Sequence, residues 1–220
     1  MRVVIAGAHG QIARRLGRLL SSRGDTVAGI IRNPDHRADL ESDGVEPVVV
    51  DLEQATVDDV AAVVSGADAV VFAAGAGPGS DAHRKSTVDR DAALLLADAA
   101  ERAGVRPYLL VSSMGVELAR QGSPPGMDPV FAAYLQAKLA AEDRILPRPA
   151  LDTTIVRPGS LTDDPGTGRV TLAHGVEHGE VPRDDVAAVL LAVLDAGKWG
   201  EVVELVSGDT PVAEAVAALP

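Results

Sequence analysis

The chain has 220 residues, of which 46% are hydrophobic and 24% are charged, and it contains no cysteine. A chain of this length buries a full core as one α/β domain, and without cysteine it has no disulfide, thiol catalyst or thiolate metal site. The formal net charge of -12 disfavours binding to nucleic acid or to an anionic membrane. No secretory signal pattern follows Met1 and no apolar run reaches membrane-spanning length, so we expect a cytoplasmic location.

The first predicted unit is a strand, a glycine-containing turn and a helix. Arg2–Ala6 is a short apolar run typical of a buried strand, and Gly7, Gly10 and Ala13 connect it to a helical pattern. A tight turn of small residues lets a pyrophosphate lie on backbone amides at the positive end of a helix. This order of elements therefore predicts dinucleotide binding. The expected cofactor contacts in the turn are Gly7, His9, Gly10, Gln11 and Ile12, with His9 bordering the phosphates.

Strands and helices alternate along the rest of the chain. Short apolar runs between helical patterns are typical of parallel strands joined by right-handed crossovers. The sequence therefore predicts an α/β fold, a doubly wound (Rossmann) parallel sheet with helices on both faces and its ligand at the carboxyl ends of the strands. The further predicted strands are 26–31, 46–50, 69–73, 108–111, 153–156 and 202–206, and the further predicted helices are 35–40, 57–64, 86–103, 129–145, 184–196 and 212–219.

Two irregular stretches interrupt this alternation, but neither indicates a domain boundary. We expect a single domain over residues 1–220. The stretch 158–183 is rich in glycine and threonine, and we expect it to lie over the cleft as a small cap on the substrate side. The stretch 121–128, which contains Pro124 and Pro125, is expected to be a loop near the site.

The residue that ends the second predicted strand indicates which nicotinamide cofactor binds. An acidic residue there accepts hydrogen bonds from the ribose 2′-hydroxyl, whereas a basic residue pairs with a 2′-phosphate. This chain has Arg32, whose forked guanidinium suits a phosphate, so we expect NADP(H) to be preferred over NAD(H). The alternative is a solvated arginine at a strand end. Further expected cofactor contacts are Asp51 and Leu52 at the adenine and Ala73, Ala74 and Gly75 along the adenosine ribose.

Tyr134 and Lys138 are the strongest candidates for catalysis. Four residues apart on a predicted helix, their side chains lie on one face. An ammonium near a phenol favours the phenolate, which makes Tyr134 a plausible general acid towards a carbonyl that accepts hydride. The alternative is an amphipathic helix with a half-buried tyrosine and a surface lysine.

Together these motifs resemble the atypical, extended-like branch of the short-chain dehydrogenase/reductase superfamily. The resemblance covers essentially the whole chain and rests on the order of its motifs. They are Gly7-x-x-Gly10-x-x-Ala13, Arg32, Asp51-Leu52, Ala73-Ala74-Gly75, Ser112-Ser113, Tyr134-x-x-x-Lys138 and Arg157-Pro158-Gly159.

The resemblance implies roles for residues that spacing alone does not assign. Ser113 would orient the substrate carbonyl, with Ser112 as the alternative, and Lys138 would also bind the nicotinamide ribose. Asp89 stands where the family pattern usually has asparagine, at a catalytic proton-relay position. The resemblance also places Ser112 and Pro158 among the cofactor contacts.

We therefore expect an NADPH-dependent oxidoreductase that transfers hydride to a small carbonyl or quinone-like acceptor. One alternative is a non-catalytic NAD(P)-binding redox sensor, similar to nitrogen-metabolite regulators. Another is a sugar epimerase or dehydratase, which uses the same residues, although little chain follows Arg157 to hold a nucleotide sugar. The expected partner is a small-molecule substrate of unknown identity, and the oligomeric state stays open.

No metal site is expected. His174 and His178 lie four residues apart, but Gly175 and Gly179 disfavour a rigid helical pair of ligands.

Overall fold

A computed structural model describes residues 1–77, 79–122 and 126–220. Ser123, Pro124 and Pro125, within the stretch expected to be a loop, lie outside the described residues. The strands are β1 (Arg2–Ala6), β2 (Thr26–Ile31), β3 (Glu46–Val49), β4 (Ala69–Phe72), β5 (Pro107–Val111), β6 (Asp152–Pro158), β7 (Ser160–Thr162), β8 (Arg169–Ala173), β9 (Glu180–Pro182), β10 (Val202–Ser207) and β11 (Thr210–Pro211). The α-helices are α1 (Gln11–Ser22), α2 (Arg37–Ser42), α3 (Val57–Val64), α4 (Ala82–Arg84), α5 (Ala92–Ala103), α6 (Pro129–Ile145), α7 (Arg183–Ala196) and α8 (Val212–Ala217).

Within the described residues, nine strands form one sheet in the order β11-β8-β10-β6-β5-β4-β1-β2-β3. The seven strands from β3 to β10 in this order are parallel to one another, as predicted. The chain runs outward from β1 through β2 to β3 and then returns to place β4 on the other side of β1. Ligands bind at such a switch point, outside the carboxyl ends of the strands. The site is therefore expected beyond the ends of β1 and β4.

Side chains alternate between two buried layers, one on each face of the sheet. Along β1, Val3 and Ile5 pack into the layer that contains α1 and α7, whereas Val4 and Ala6 pack into the layer that contains α3, α5 and α6. This alternation follows from the two-residue period of a strand, and burial on both faces explains why the strand reads as a continuous apolar run. The predicted Rossmann fold, with helices on both faces, is confirmed.

The expectation that residues 158–183 are irregular is wrong. This stretch contains three strands, of which β8 joins the main sheet antiparallel to β10 while β7 and β9 form a separate parallel pair. The reason lies in a two-residue alternation that the glycine and threonine content obscured. Val170 and Leu172 are buried, and Thr171 between them is exposed. Part of the expected cap, strand β8, therefore belongs to the main sheet, between β10 and β11.

The long helix predicted over 86–103 begins earlier and is not uniform. Asp81 caps its start by accepting a hydrogen bond from the Arg84 amide at 2.8 Å. After α4, the segment Lys85–Asp91 is π-helical and leads directly into α5. Such wider turns occur frequently at functional sites. None of the helices in the described ranges is long and apolar enough to cross a membrane.

Candidate functional site

The glycine turn after β1 packs directly on the end of β4. Gly7 has a φ of +76°, and a Cβ there would lie 2.4 Å from the Cα of Ala74. The Gly10 amide donates to the Gly7 carbonyl at 2.8 Å, and Gly10 begins α1 without a side-chain cap. The first amides of a helix have no partner within the helix. An uncapped α1 therefore offers these amides, and the positive end of its dipole, to an anion.

A cleft of about 300 Å³ lies beyond the carboxyl ends of β1 to β4, and we call it the cofactor cleft. Most of the predicted cofactor contacts line it. They are Gly7, His9, Gly10, Arg32, Asp51, Leu52, Ala73, Ala74 and Gly75.

Gln11 and His9 differ in their relation to this cleft. Gln11 is exposed and lines none of the described cavities, and its side chain accepts a 3.4 Å hydrogen bond from Arg15. His9 lies at the cleft, stacked on His36 with a ring separation of 3.5 Å. Its Nε2 is 2.8 Å from the Asp39 carboxylate. The turn is thereby tied to α2.

Arg32 is part of a charged cluster at the cofactor cleft. It donates to Glu53 at 2.9 Å, and Arg84 donates to the same carboxylate oxygen at 3.1 Å. The other oxygen of Glu53 accepts from the Thr87 hydroxyl at 2.7 Å. The Asp51 carboxylate accepts a hydrogen bond from the backbone amide of Glu53 at 3.0 Å. Glu53 and Arg84 both line the cofactor cleft.

Sequence reasoning missed Glu53 and Arg84 as members of the site. Only Glu53 had a local signal, because it lies two residues after the predicted adenine contact Asp51. An aspartate commonly holds the amide two residues on in this way.

A second cavity, of about 340 Å³, adjoins the cofactor cleft, and we call it the substrate-side cavity. Ala73, Ala74 and Gly75 line both spaces, so the two are continuous along the end of β4. The predicted catalytic residues all line the second one, together with three predicted cofactor contacts that do not line the cofactor cleft. The catalytic set is Asp89, Ser113, Tyr134 and Lys138, and the cofactor contacts are Ile12, Ser112 and Pro158.

Lys138 is buried, at 4% exposure, which rules out the surface lysine of the alternative interpretation. Its Nζ donates to the carbonyl of Val111 at 3.1 Å and to that of Ala74 at 3.4 Å. Asp89 has no exposed surface, and its Oδ1 lies 3.4 Å from Lys138 Nζ. This is an ion pair without hydrogen-bond geometry, because Oδ1 accepts no hydrogen bond from the described residues. The other oxygen accepts from the Ala76 amide at 3.2 Å.

The Tyr134 ring lies close to two lysines. Its centroid is 5.9 Å from Lys138 Nζ and 5.4 Å from Lys85 Nζ. Lys85 was missed by sequence reasoning, although its spacing of four from Asp89 on a helix pointed to a shared face. The helical segment that carries both residues is the π-helical one.

The two candidate serines are not equivalent. The Ser113 hydroxyl donates to the Met114 carbonyl at 3.0 Å. The Ser112 hydroxyl is buried and has no hydrogen-bond partner among the described residues. Buried hydroxyls are seldom left unpaired. Ser112 is therefore as well suited as Ser113 to meet a ligand in this cavity.

No metal centre is visible beside these residues. In the part of the chain that the structure describes, no three His, Asp or Glu side chains are grouped so that they could hold a metal ion.

Comparison with known proteins agrees with this arrangement. A family model described as NAD(P)H-binding matches residues 7–197. The Bacillus subtilis (strain 168) protein YhfK, named an uncharacterized sugar epimerase, is 35% identical over 98% of this chain and 99% of its own. A Bacillus halodurans structure assigned as an NAD-dependent epimerase/dehydratase is 34% identical, with full coverage of both chains and a TM-score of 0.89.

A third comparison is with an enzyme named as a reductase. ChuY from Escherichia coli O157:H7, named an anaerobillin reductase, is 26% identical over 95% of this chain and 98% of its own, with a TM-score of 0.79. The neighbours thus include both epimerase and reductase names on one fold. The chain belongs to the NAD(P)H-binding family of Rossmann proteins, consistent with the atypical short-chain dehydrogenase/reductase branch that its motifs resemble.

Proposed function

We propose that this protein is an NADPH-dependent oxidoreductase that reduces a small carbonyl or quinone-like acceptor, with Tyr134 as the general acid. The observation that carries the proposal is that Tyr134, Lys138 and the serine pair line a cavity continuous with the cofactor cleft. With the adenosine half of a dinucleotide in the cleft, its nicotinamide would lie in the cavity, where the hydride donor and the proton donor would reach one substrate from adjacent positions.

The residues present fit a nicotinamide dinucleotide. The uncapped start of α1 suits the pyrophosphate, and the two continuous cavities offer room for the two halves of an extended ligand. When bound, the nicotinamide supplies the hydride. Lys138 uses two of its three N–H groups on carbonyls, which leaves one for a hydroxyl of the nicotinamide ribose.

Tyr134 supplies the proton in this proposal. Hydride adds to the carbonyl carbon while the phenol proton moves to the oxygen, which gives an alcohol. From a quinone the same step gives a hydroxydienone, which becomes the hydroquinone when its C–H proton is lost and the second oxygen is protonated. The positive charges of Lys85 and Lys138 near the ring stabilise the phenolate that remains, until solvent returns a proton. A serine hydroxyl, from Ser112 or Ser113, orients the carbonyl.

The preference for NADPH is supported by charge at the cleft. Two guanidinium groups, those of Arg32 and Arg84, share the single carboxylate of Glu53. These three side chains alone carry one excess positive charge, and their guanidinium groups suit a 2′-phosphate, although the Asp51 carboxylate lines the same cleft. The Nε of Arg84 is buried without a hydrogen-bond partner among the described residues, so this side chain has a donor to spare.

Tyr134→Phe tests the proposed mechanism, because it removes the proton and keeps the ring. We expect turnover of NADPH with accepted carbonyls to fall by at least about 100-fold, while NADPH fluorescence titrations give an unchanged Kd. Tyr108→Phe is the matched control, because Tyr108 is buried, donates to the Ala93 carbonyl and lines neither cavity. Unchanged turnover in Tyr134→Phe would remove this residue as the acid. Tight NADPH binding without turnover of any acceptor by the wild type would favour the redox sensor.

An epimerase is the second candidate, and the name of the B. subtilis relative favours it. The match covers nearly the whole length of both chains, so the relative has no additional substrate domain that this chain lacks. An epimerase would oxidise and then reduce its sugar through the same Tyr134 and Lys138. It would need no external NADPH and would leave the cofactor unchanged. Conversion of a nucleotide sugar into its epimer at constant cofactor absorbance, with no NADPH added, would therefore favour the epimerase over the reductase.

A further inference from the structure

A third cavity, of about 320 Å³, shares Lys85 and Tyr134 with the substrate-side cavity. We propose that this cavity is a subsite for a substrate with an acidic group and a planar apolar body. Lys85 would bind the carboxylate, and Phe131 would pack against the body. The inference rests on the proposed function, because it names the substrate class of the same site.

Lys85 differs from the other cations that line the three cavities. Arg32 and Arg84 face Glu53, and Lys138 faces Asp89. Within the described residues, no carboxylate lies within 4 Å of Lys85, whose Nζ donates only to the Gly77 carbonyl, at 2.9 Å. In a chain of net charge -12, such a cation at a cavity wall is unusual. Its two free N–H groups suit an anionic oxygen.

The one acidic residue among the described lining of this cavity is already engaged. Asp128 caps α6, and its carboxylate accepts from the Phe131 amide at 2.8 Å. A second anion beside it would be repelled unless a cation lay closer. Lys85 provides that cation on the side shared with Tyr134.

The lining of the third cavity also includes exposed apolar side chains. Val130 and Phe131 are 37% and 48% exposed, and both line the third cavity. The Phe131 ring stacks on Tyr134 with centroids 5.9 Å apart and an angle of 28° between the planes. Leu161, also exposed, lines the substrate-side cavity. Exposed apolar side chains grouped at the lining of a cleft are typical of binding surfaces, and a ring platform favours a flat partner.

The shared position of Lys85 and Tyr134 explains how binding would serve reduction. An acid held at Lys85 extends past Tyr134 into the substrate-side cavity, which adjoins the cofactor cleft. The reducible end of the molecule is then the end that enters the cavity with Ser112 and Lys138. A substrate with its acid and its carbonyl at opposite ends of a flat ring meets these conditions.

The test compares 4-carboxybenzaldehyde with its methyl ester, which differ only in the charge of the acidic group. Their binding to the protein loaded with oxidised NADP is measured by calorimetry, and their reduction is measured with NADPH. We expect the wild type to bind the acid more tightly than the ester. Lys85→Met should weaken binding of the acid by about tenfold and leave binding of the ester unchanged. Lys85→Arg, which keeps the charge, should retain most of the preference.

Three results would overturn the subsite. The first is an equal ratio of acid affinity to ester affinity in the wild type and in Lys85→Met. The second is no measurable binding of the acid to the wild type. The third is loss of the preference for the acid in Lys85→Arg, with circular dichroism showing that the variant is folded. Phe131→Ala is the second variant, and it should weaken acid and ester alike. Since binding is measured without turnover, a binding preference for the acid in a protein that reduces no carbonyl or quinone acceptor would refute the proposed function and leave the subsite standing. Reduction of both aldehydes without a binding preference for the acid would refute the subsite and support the proposed function.

Discussion

The two lysines near Tyr134 differ in burial and in their charged neighbours, and this difference indicates different roles. Lys138 is buried and its charge is balanced by Asp89, so it is suited to holding a ligand in place. Lys85 is partly exposed and faces no carboxylate within the described residues, so its charge is available to a ligand. Spacing along the chain identified Tyr134 and Lys138, but it could not distinguish the roles of Lys138 and Lys85, because that distinction depends on burial.

The ion pair between Lys138 and Asp89 predicts a loss of stability when one partner is removed. Lys138→Met leaves the Asp89 carboxylate buried without a counter-charge, which should lower the free energy of unfolding by about 3 kcal/mol. Urea denaturation followed by circular dichroism measures the change. Adding Asp89→Asn to this variant should recover part of the loss. Lys85→Met is the matched control, with little expected change, and an equal loss in both single variants would contradict the role of the pair.

The arginine pair at the cofactor cleft predicts how the cofactor preference changes. Arg32→Ala should weaken NADPH by about tenfold more than NADH, because only NADPH has the 2′-phosphate. Glu53→Gln should strengthen NADPH relative to NADH, since it frees both guanidinium groups from a competing carboxylate. Fluorescence titration with both cofactors gives the ratio. If Arg32→Ala weakens both equally, the 2′-phosphate does not contact Arg32.

At the scale of elements, the glycine turn fixes the distance between β1, α1 and the end of β4. Gly7→Ala adds a Cβ that would overlap the backbone of Ala74, and neither side can move without shifting a central strand. We expect loss of NADPH binding and a large loss of stability by urea denaturation. Gly66→Ala is the matched control. It has a similar φ of +73° but open space around the added Cβ, so it should lose only about 1–2 kcal/mol and keep NADPH affinity.

The central strands and most helix positions were predictable because their signals are local. Buried strands such as β1 and β4 have continuous apolar runs, and their helices have the expected period. The start of the long helix was also encoded locally, in the Asp81 cap, but it was overlooked. The π-helical segment was not predictable in this way, because no residue pattern in Lys85–Asp91 distinguishes it from an α-helix.

The candidate site was predictable only where a motif carries it. The glycine turn and the Tyr134–Lys138 pair have fixed spacing, and the structure brings them to adjoining cavities. Glu53 binds Arg32, which is 21 residues away in the chain, and Arg84, which is 31 residues away, and no local sequence pattern predicts such contacts. The strand β8 was missed for a different reason, since its alternation was present but short.

Over the whole molecule, a large negative charge coexists with many paired carboxylates. Acidification would relieve repulsion among the acidic groups and so stabilise the fold. Against this, six carboxyl groups have a pKa below the ordinary value, chiefly because nearby amino, guanidinium, imidazole or hydroxyl groups hydrogen-bond to them. They are Asp25, Asp39, Asp43, Asp59, Glu117 and Asp184.

These lowered pKa values determine the expected sign of the pH dependence. A carboxyl with a lowered pKa stabilises the fold above its unfolded pKa, near about 4, and this contribution is lost as the pH falls through the folded value. We expect the free energy of unfolding to be nearly constant from neutral pH to about pH 5 and to decrease below about pH 4. Urea denaturation at stepped pH values tests this. A rise in stability over the acidic range would mean that relief of repulsion dominates.

Asp43 should carry much of this acid sensitivity, because its side chain is only 6% exposed and joins α1 to the end of α2. Burial alone would raise the pKa of Asp43, but hydrogen bonds from Arg14 at 2.6 Å and Arg18 at 3.0 Å outweigh it and the pKa is lowered. Asp43→Asn should reduce stability at neutral pH, because it leaves both arginines without their carboxylate. It should also flatten the decrease below pH 5, since the group that must be protonated is gone. Parallel curves for wild type and variant would show that the acid sensitivity lies elsewhere in the molecule.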